Sequence, residues 1–227
     1  NGVTLSQADA DERWRYYSQL ADVQRSIQSL EHEPAAAPAT GEALRRGGLP
    51  CIEITLRTDA ALAGIAALAR THPDLLVGAG TVMTVDQAEA AVAAGAGFVV
   101  TPGFNQPVVE WCVDRAVTVI PGVATPTDIH LAQRYQLTAL KFFPAEPAGG
   151  MAYLKSMMAP YAHLGLKYVP LGGLNAENII DYLSHPAVPA VGGSWIAKRD
   201  LIQNADWAAI TERAAEARRI IDGLRKQ

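Results

Sequence analysis

Cysteine is nearly absent: Cys51 and Cys112 are the only two in 227 residues, far apart in apolar surroundings with no CxxC or ligand-like spacing. That argues against a disulfide scaffold and a cysteine zinc site, and it fits a chain working in a reducing cytoplasm. The histidines His32, His72, His130, His163 and His185 form no i,i+4 pair and no HxH, so a histidine-based metal site has no support either. An excess of positive charge is missing too, since 19 Lys and Arg stand against 23 Asp and Glu for a formal net charge of −4. Bulk charge therefore offers no grip on nucleic acid. No apolar run reaches the ~18 residues needed to span a bilayer, and no basic segment followed by an apolar stretch marks a secretory signal. Lysine is scarce as well, occurring only at Lys141, Lys155, Lys167, Lys198 and Lys226.

What is plentiful is apolar material: 49% of residues are hydrophobic and 19% charged, enough for a sizeable core in a soluble globular protein. Strand candidates begin near Cys51 (CIEITLR), Leu75 (LLVGAGTV), Phe98 (FVVTPG), Val117 (VTVIPGV), Thr138 (TALKFFP), Lys167 (KYVPLGG) and Val188 (VPAVGGSWI). Their mean interval of about 23 residues is the length of one strand, one helix and two short loops. Helix signals fall between them. Thr84 opens a T-x-x-Q capping box with Gln87, Gly95 closes that helix, Thr125-Pro126 supplies a cap followed by Pro at the first helical position, and Asn175 can cap the helix after PLGGL.

Regular parallel units with no break where strand order would reverse predict an α/β fold of the closed (β/α)₈ TIM-barrel type. The missing strand then falls near residue 28, in residues 25–31, a weak candidate whose strong apolar residues are only Ile27 and Leu30. Residues 34–46 read as either the first barrel helix or part of a linker, ending at Gly47-Gly48. Trp14, Tyr17 and Leu20 share one face of an N-terminal helix over residues 7–24. One domain is expected over residues 1–227: a helical extension over 1–24, a barrel over about 25–211, and the end of a C-terminal helix over 212–227.

Strand period 2 sends Ile52, Ile54 and Leu56 toward the helices and Glu53, Thr55 and Arg57 into the barrel. Two readings fit such a polar inner face: a buried hydrogen-bonded network, or a carboxylate that moves protons beside a guanidinium that holds an anionic substrate. Lys141 has apolar strand neighbours on both faces and so is not placed as a solvated residue. Desolvation favours a neutral amine, the form that Schiff-base formation requires; the competing reading is a structural pair with Glu53. Lys167, at the N-terminal edge of its strand, is assigned to the stability end of the barrel. Gly172-Gly173 and Gly192-Gly193-Ser194 follow the last two strands, where barrels bind phosphate on exposed N–H groups. Thr81 either adds a hydroxyl to the mouth or marks a plain turn, while Pro102-Gly103 and Pro121-Gly122 shape the mouth.

Glu53 in GGLPCIEITLRT, Thr81 in VGAGTV, then TPGF, IPGVATPT, Lys141 in LKFFPAE, GG after KYVP, and VGGSWI stand in a distinctive order and spacing. Over roughly residues 47–196 the chain resembles the KDPG aldolase family, also called KDPG/4-hydroxy-2-oxoglutarate aldolases, KDPG being 2-dehydro-3-deoxy-6-phosphogluconate. The resemblance implies a homotrimeric class I aldolase of carbohydrate metabolism, of the Entner–Doudoroff type. Such an enzyme would use no metal or other cofactor and would split a 2-oxo acid substrate into pyruvate and an aldehyde. It implies Lys141 as the Schiff-base residue and Glu53 as general acid/base, with Arg57 and Thr81 at the pyruvoyl carboxylate. Gly172, Gly173, Gly193 and Ser194 would form the phosphate end, and Phe143, Pro102 and Leu171 the pocket. Two departures stand out. The family's usual PTGG is PLGG here, with Leu171 replacing a threonine, and its apolar first strand is the polar RSIQSLE. Two other readings keep the barrel: a sugar-phosphate epimerase or decarboxylase relying on metal or other acids, and a catalytically altered barrel serving as an oligomeric assembly module.

Overall fold

The computed structural model describes residues 26–27, 30 and 33–225; the expected N-terminal helix over residues 7–24 lies outside them. The strands are β1 (Ser26–Ile27), β2 (Cys51–Thr55), β3 (Leu76–Gly80), β4 (Phe98–Val100), β5 (Thr118–Ile120), β6 (Gly122–Val123), β7 (Ala139–Phe142) and β8 (Lys167–Pro170). All pair in parallel and in chain order, β1 to β5 in one sheet and β6 to β8 in another. Strands β5 and β6 are two halves of one extended stretch broken at Pro121. The first half pairs with β4 and the second with β7, and the Pro121 carbonyl accepts from the Lys141 amide at 2.9 Å. Proline has no N–H to give the ladder but keeps its acceptor, so the sheet is handed on there rather than ended.

The weak first strand forms where the interval placed it, as two residues paired with β2. The strand expected at Val188 is corrected to one bridge between Leu171 and Gly192, with the Gly192 amide donating to the Pro170 carbonyl at 2.8 Å. Pro186, Pro189 and the glycine pair explain this, since proline removes ladder donors and glycine has no side chain to pack. Eight parallel positions thus follow in (β/α)₈ order; among the described residues no ladder joins the eighth back to the first.

The helices are α1 (Ala37–Arg46), α2 (Ala60–Thr71), α3 (Val85–Ala93), α4 (Gln106–Asp114), α5 (Pro126–Gln133), α6 (Gly150–Met158), α7 (Ile179–Leu183), α8 (Arg199–Gln203) and α9 (Trp207–Arg225). Residues 34–46 are therefore a helix, entered through a 3-10 turn at Pro34–Ala36. Two of the three predicted helix caps form. The Thr84 hydroxyl accepts from the Gln87 amide, and Thr125 does the same for Asp128, whose carboxylate accepts the Thr125 amide at 2.8 Å and completes a second capping box. The Asn175 side chain accepts from the amides of Glu177 and Asn178, so it caps a turn, and α7 begins only at Ile179. Buried Ile210, Ala214, Ala217 and Ile221 line one face of α9. This helix lies against α1 closely enough that a Cβ on Gly47 would come 2.1 Å from that of Ala214. No described helix is long and apolar enough to cross a membrane.

Strand alternation divides the core. Ile52, Ile54, Val99, Val119, Leu140, Phe142 and Tyr168 pack toward the helices, while Cys51, Phe98, Val100, Ile120 and Ala139 cluster inside the strands. The inner layer fits because β3 offers glycines: a Cβ on Gly78 would lie 2.1 Å from the Phe98 ring. Gly78→Ala is expected to cost about 1–3 kcal/mol through overpacking, read as a lower urea midpoint at unchanged slope. Burial also pushes the Cys112 thiol up to about 12. With almost no thiolate at about pH 8, Cys112 should escape iodoacetamide in folded protein and react in guanidinium, as followed by peptide mass.

Candidate active site

The carboxyl ends of the strands open into a cleft of about 610 Å³. Arg57, Thr81, Pro102, Lys141, Phe143, Leu171, Gly172, Gly173, Gly193 and Ser194, each singled out in the sequence, all line it. Glu53 alone does not. It lies fully buried beneath, on the same inward face of β2 as Thr55, which is part of the lining.

Lys141 is 4% exposed within a strand buried throughout. Leu140 and Phe142 point to the helix layer, leaving Lys141 to face inward, as the period required. Its Nζ stands 4.8 Å from the Phe143 ring centroid, a cation–π contact that fixes the amine at the cleft floor. Among the described residues its ammonium has no ion-pair partner, so the reading of a structural pair with Glu53 does not hold. Neighbouring Gly122 admits no side chain: a Cβ there would lie 2.2 Å from the Pro102 carbonyl oxygen. That close approach is how the loop after β4 comes to line the floor.

The Glu53 carboxylate reaches across to β3, where a Cβ on Gly80 would fall 1.9 Å from its Oε1. Glycine at position 80 thus makes the space the carboxylate occupies. One residue on, Thr81 holds φ +57°, a left-handed backbone that a β-branched residue adopts only at a cost of about 1–3 kcal/mol. This left-handed residue also lines the cleft.

At the other end, Gly172 and Gly173 hold φ of +100° and +82°. Their loop is braced against the one after β7: Ala145 N–H donates to Leu171 C=O at 2.7 Å and Glu146 N–H to Gly172 C=O at 3.0 Å. The Tyr182 hydroxyl donates to Glu146, whose Cβ sits where a side chain on Gly173 would go. Among the described residues the amides of Gly172, Gly173, Gly193 and Ser194 donate to no protein acceptor. They form a set of N–H groups suited to an anion. Leu171 brings buried alkyl surface to the lining, packed with Val169 and Ala190. Lys167, by contrast, donates to the Pro186 carbonyl at 3.0 Å from the far end of its strand.

Sequence reasoning missed Met83, Leu174, Trp195 and Lys198 as lining residues. The Trp195 ring lies where a Cβ on Gly193 would be, 1.8 Å from its nearest carbon. The one signal available for it was adjacency to the glycine pair in VGGSWI. Among the described residues no group of His, Cys, Asp and Glu is arranged to hold a metal.

Comparison with known proteins identifies the family. The family model described as "KDPG and KHG aldolase" matches residues 21–213. The 2-dehydro-3-deoxy-phosphogluconate aldolase of Treponema pallidum is 41% identical over 195 residues, 86% of this chain and 91% of that protein. The KHG/KDPG aldolase of Escherichia coli K12 is 36% identical over 191 residues, 84% of this chain and 87% of that one. Among solved structures, a KDPG aldolase from Legionella pneumophila, with pyruvate captured as a covalent carbinolamine intermediate, superposes with a TM-score of 0.81. It has 34% identity and covers 93% of this chain and 98% of that one. With the fold, the family model and most of the length all shared, the chain belongs to the KDPG/KHG aldolase family.

Proposed function

We propose that the protein is a carbon–carbon lyase that cleaves KDPG, and 4-hydroxy-2-oxoglutarate, to pyruvate and an aldehyde through a Schiff base on Lys141. The aldehyde would be glyceraldehyde 3-phosphate or glyoxylate respectively. The observation that carries this reading is a buried lysine, without an ion-pair partner among the described residues, on the floor of a cleft with anion-binding groups at both ends. The captured carbinolamine in the Legionella relative supports it.

In this mechanism the neutral Lys141 amine attacks the C2 carbonyl, and the carbinolamine loses water to give an iminium. Removal of the C4 hydroxyl proton lets the C3–C4 bond break. Its electron pair flows into the iminium, giving an enamine while the aldehyde departs. Protonation of the enamine at C3 and hydrolysis return pyruvate and free lysine. The electron sink is the protein's own nitrogen, so the chemistry calls for no cofactor. Glu53, buried below the floor, would take and return protons through a bridging water. Arg57 and Thr81 would hold the substrate carboxylate, Arg57 through its fork of donors. Gly172, Gly173, Gly193 and Ser194 would hold the distal phosphate on their amides, with Phe143, Pro102 and Leu171 as walls. Family likeness further supports a cytoplasmic homotrimer, checked by sedimentation of the purified chain.

Incubation with pyruvate and borohydride should leave one reduced adduct, located on Lys141 by peptide mass, and Lys141→Ala should lose both adduct and turnover. A folded wild-type protein that accumulates no adduct would overturn the mechanism. Leu171 removes a hydroxyl from the lining, and one hydrogen bond is worth about 0.5–1.5 kcal/mol. Leu171→Thr should therefore lower the KM for KDPG about 2- to 10-fold, as measured in a coupled pyruvate assay.

A further inference from the structure

We infer that Lys198 is a specificity-determining residue, selecting substrates that carry a dianionic phosphate at the end remote from the reacting carbonyl. The inference rests on the aldolase reading and names which of its two substrate classes the cleft favours.

The ionisable side chains lining the cleft are Arg57, Lys141 and Lys198, with no carboxylate among the described lining residues. Lys141 is committed to the covalent bond, and Arg57 extends the β2 face toward the carboxylate end. Lys198 belongs instead to the connection that carries Gly193 and Ser194. Its side chain is exposed at the rim and, among the described residues, has no ion-pair partner.

The root of that side chain is fixed. Arg213 Nη1 donates to the Trp195 carbonyl at 2.9 Å, Ile196 and Ala197 are buried, and the Lys198 carbonyl accepts from the Ile202 amide at 3.2 Å. Lys198 thus lines the cleft from an anchored base, in the same connection as the Gly193 and Ser194 amides that donate to no acceptor among the described residues. A compact ammonium attracts a phosphate dianion about twice as strongly as a monoanionic carboxylate at equal distance. The second carboxylate of 4-hydroxy-2-oxoglutarate is bonded directly to C4, whereas the phosphate of KDPG is on the C6 oxygen, its phosphorus three bonds farther from C4 than that carboxylate carbon. Charge and reach therefore favour KDPG together.

Retro-aldol kinetics of wild type, Lys198→Ala and Lys198→Arg with both substrates test this. Lys198→Ala should lower the ratio of kcat/KM for KDPG over 4-hydroxy-2-oxoglutarate about 3- to 10-fold, as a rise in KM for KDPG at nearly unchanged kcat. It should also flatten the salt dependence of that KM, and Lys198→Arg should restore both. An unchanged ratio, or a fall that arginine does not restore, overturns the assignment. Pyruvate–borohydride labelling separates the two levels: Lys198→Ala that still forms the Lys141 adduct with an unchanged ratio refutes Lys198 alone, whereas a wild type without adduct refutes the aldolase reading.

Discussion

Room between the inward faces of the parallel strands is the constraint on which this structure depends. Parallel strands in chain order turn every second side chain into a shared narrow interior, where a large group is admitted only if its neighbour yields space. Three glycines yield it. Gly78 lies under the Phe98 ring, Gly80 under the Glu53 carboxylate, and Gly122 against the Pro102 carbonyl. The first supports a packed apolar layer. The second lets a carboxylate lie fully buried below the cleft, and the third brings the loop after β4 onto the floor beside Lys141. Packing and chemistry therefore draw on the same backbone positions.

Charge is distributed along the cleft in keeping with a substrate that is anionic at both ends. Arg57 stands at one end, a loop whose amides donate to no acceptor among the described residues at the other, and Lys141 on the floor. The glycine loop owes its shape to the contact of Glu146 with Tyr182 and Gly173, which ties the loop after β7 to the one after β8. Glu146 belongs to the LKFFPAE motif that also carries Lys141, so a single short segment supplies the lysine of the cleft floor and braces the opposite wall.

Much of this was legible in the sequence because strand and helix periods are local. The alternation in CIEITLR placed Glu53 and Thr55 inward, and the capping boxes at Thr84 and Thr125 could be read from side chains three residues apart. The interval between strands located β1 even though its sequence is a poor strand former. The eighth strand was less legible: Val188, Ala190 and Val191 suggested a strand, while two prolines and two glycines reduced it to one bridge. Trp195 and Lys198 were not legible as site residues, because their place in the cleft follows from how the eighth connection is tied to α9 by Arg213, a contact with no local signature.

The sequence by itself determined the class of fold, the inward placement of Lys141 and the polarity of each strand face, since all three follow from residue types at fixed short spacing. Tertiary structure alone decided that Lys141 is not ion-paired with Glu53, that Thr81 lines the cleft from a strained backbone, and that Lys198 lines the same cleft as the glycine loops. Each of these depends on which segments distant in the chain come to lie within a few ångströms. That is set by packing across the barrel, and no spacing along one strand encodes it.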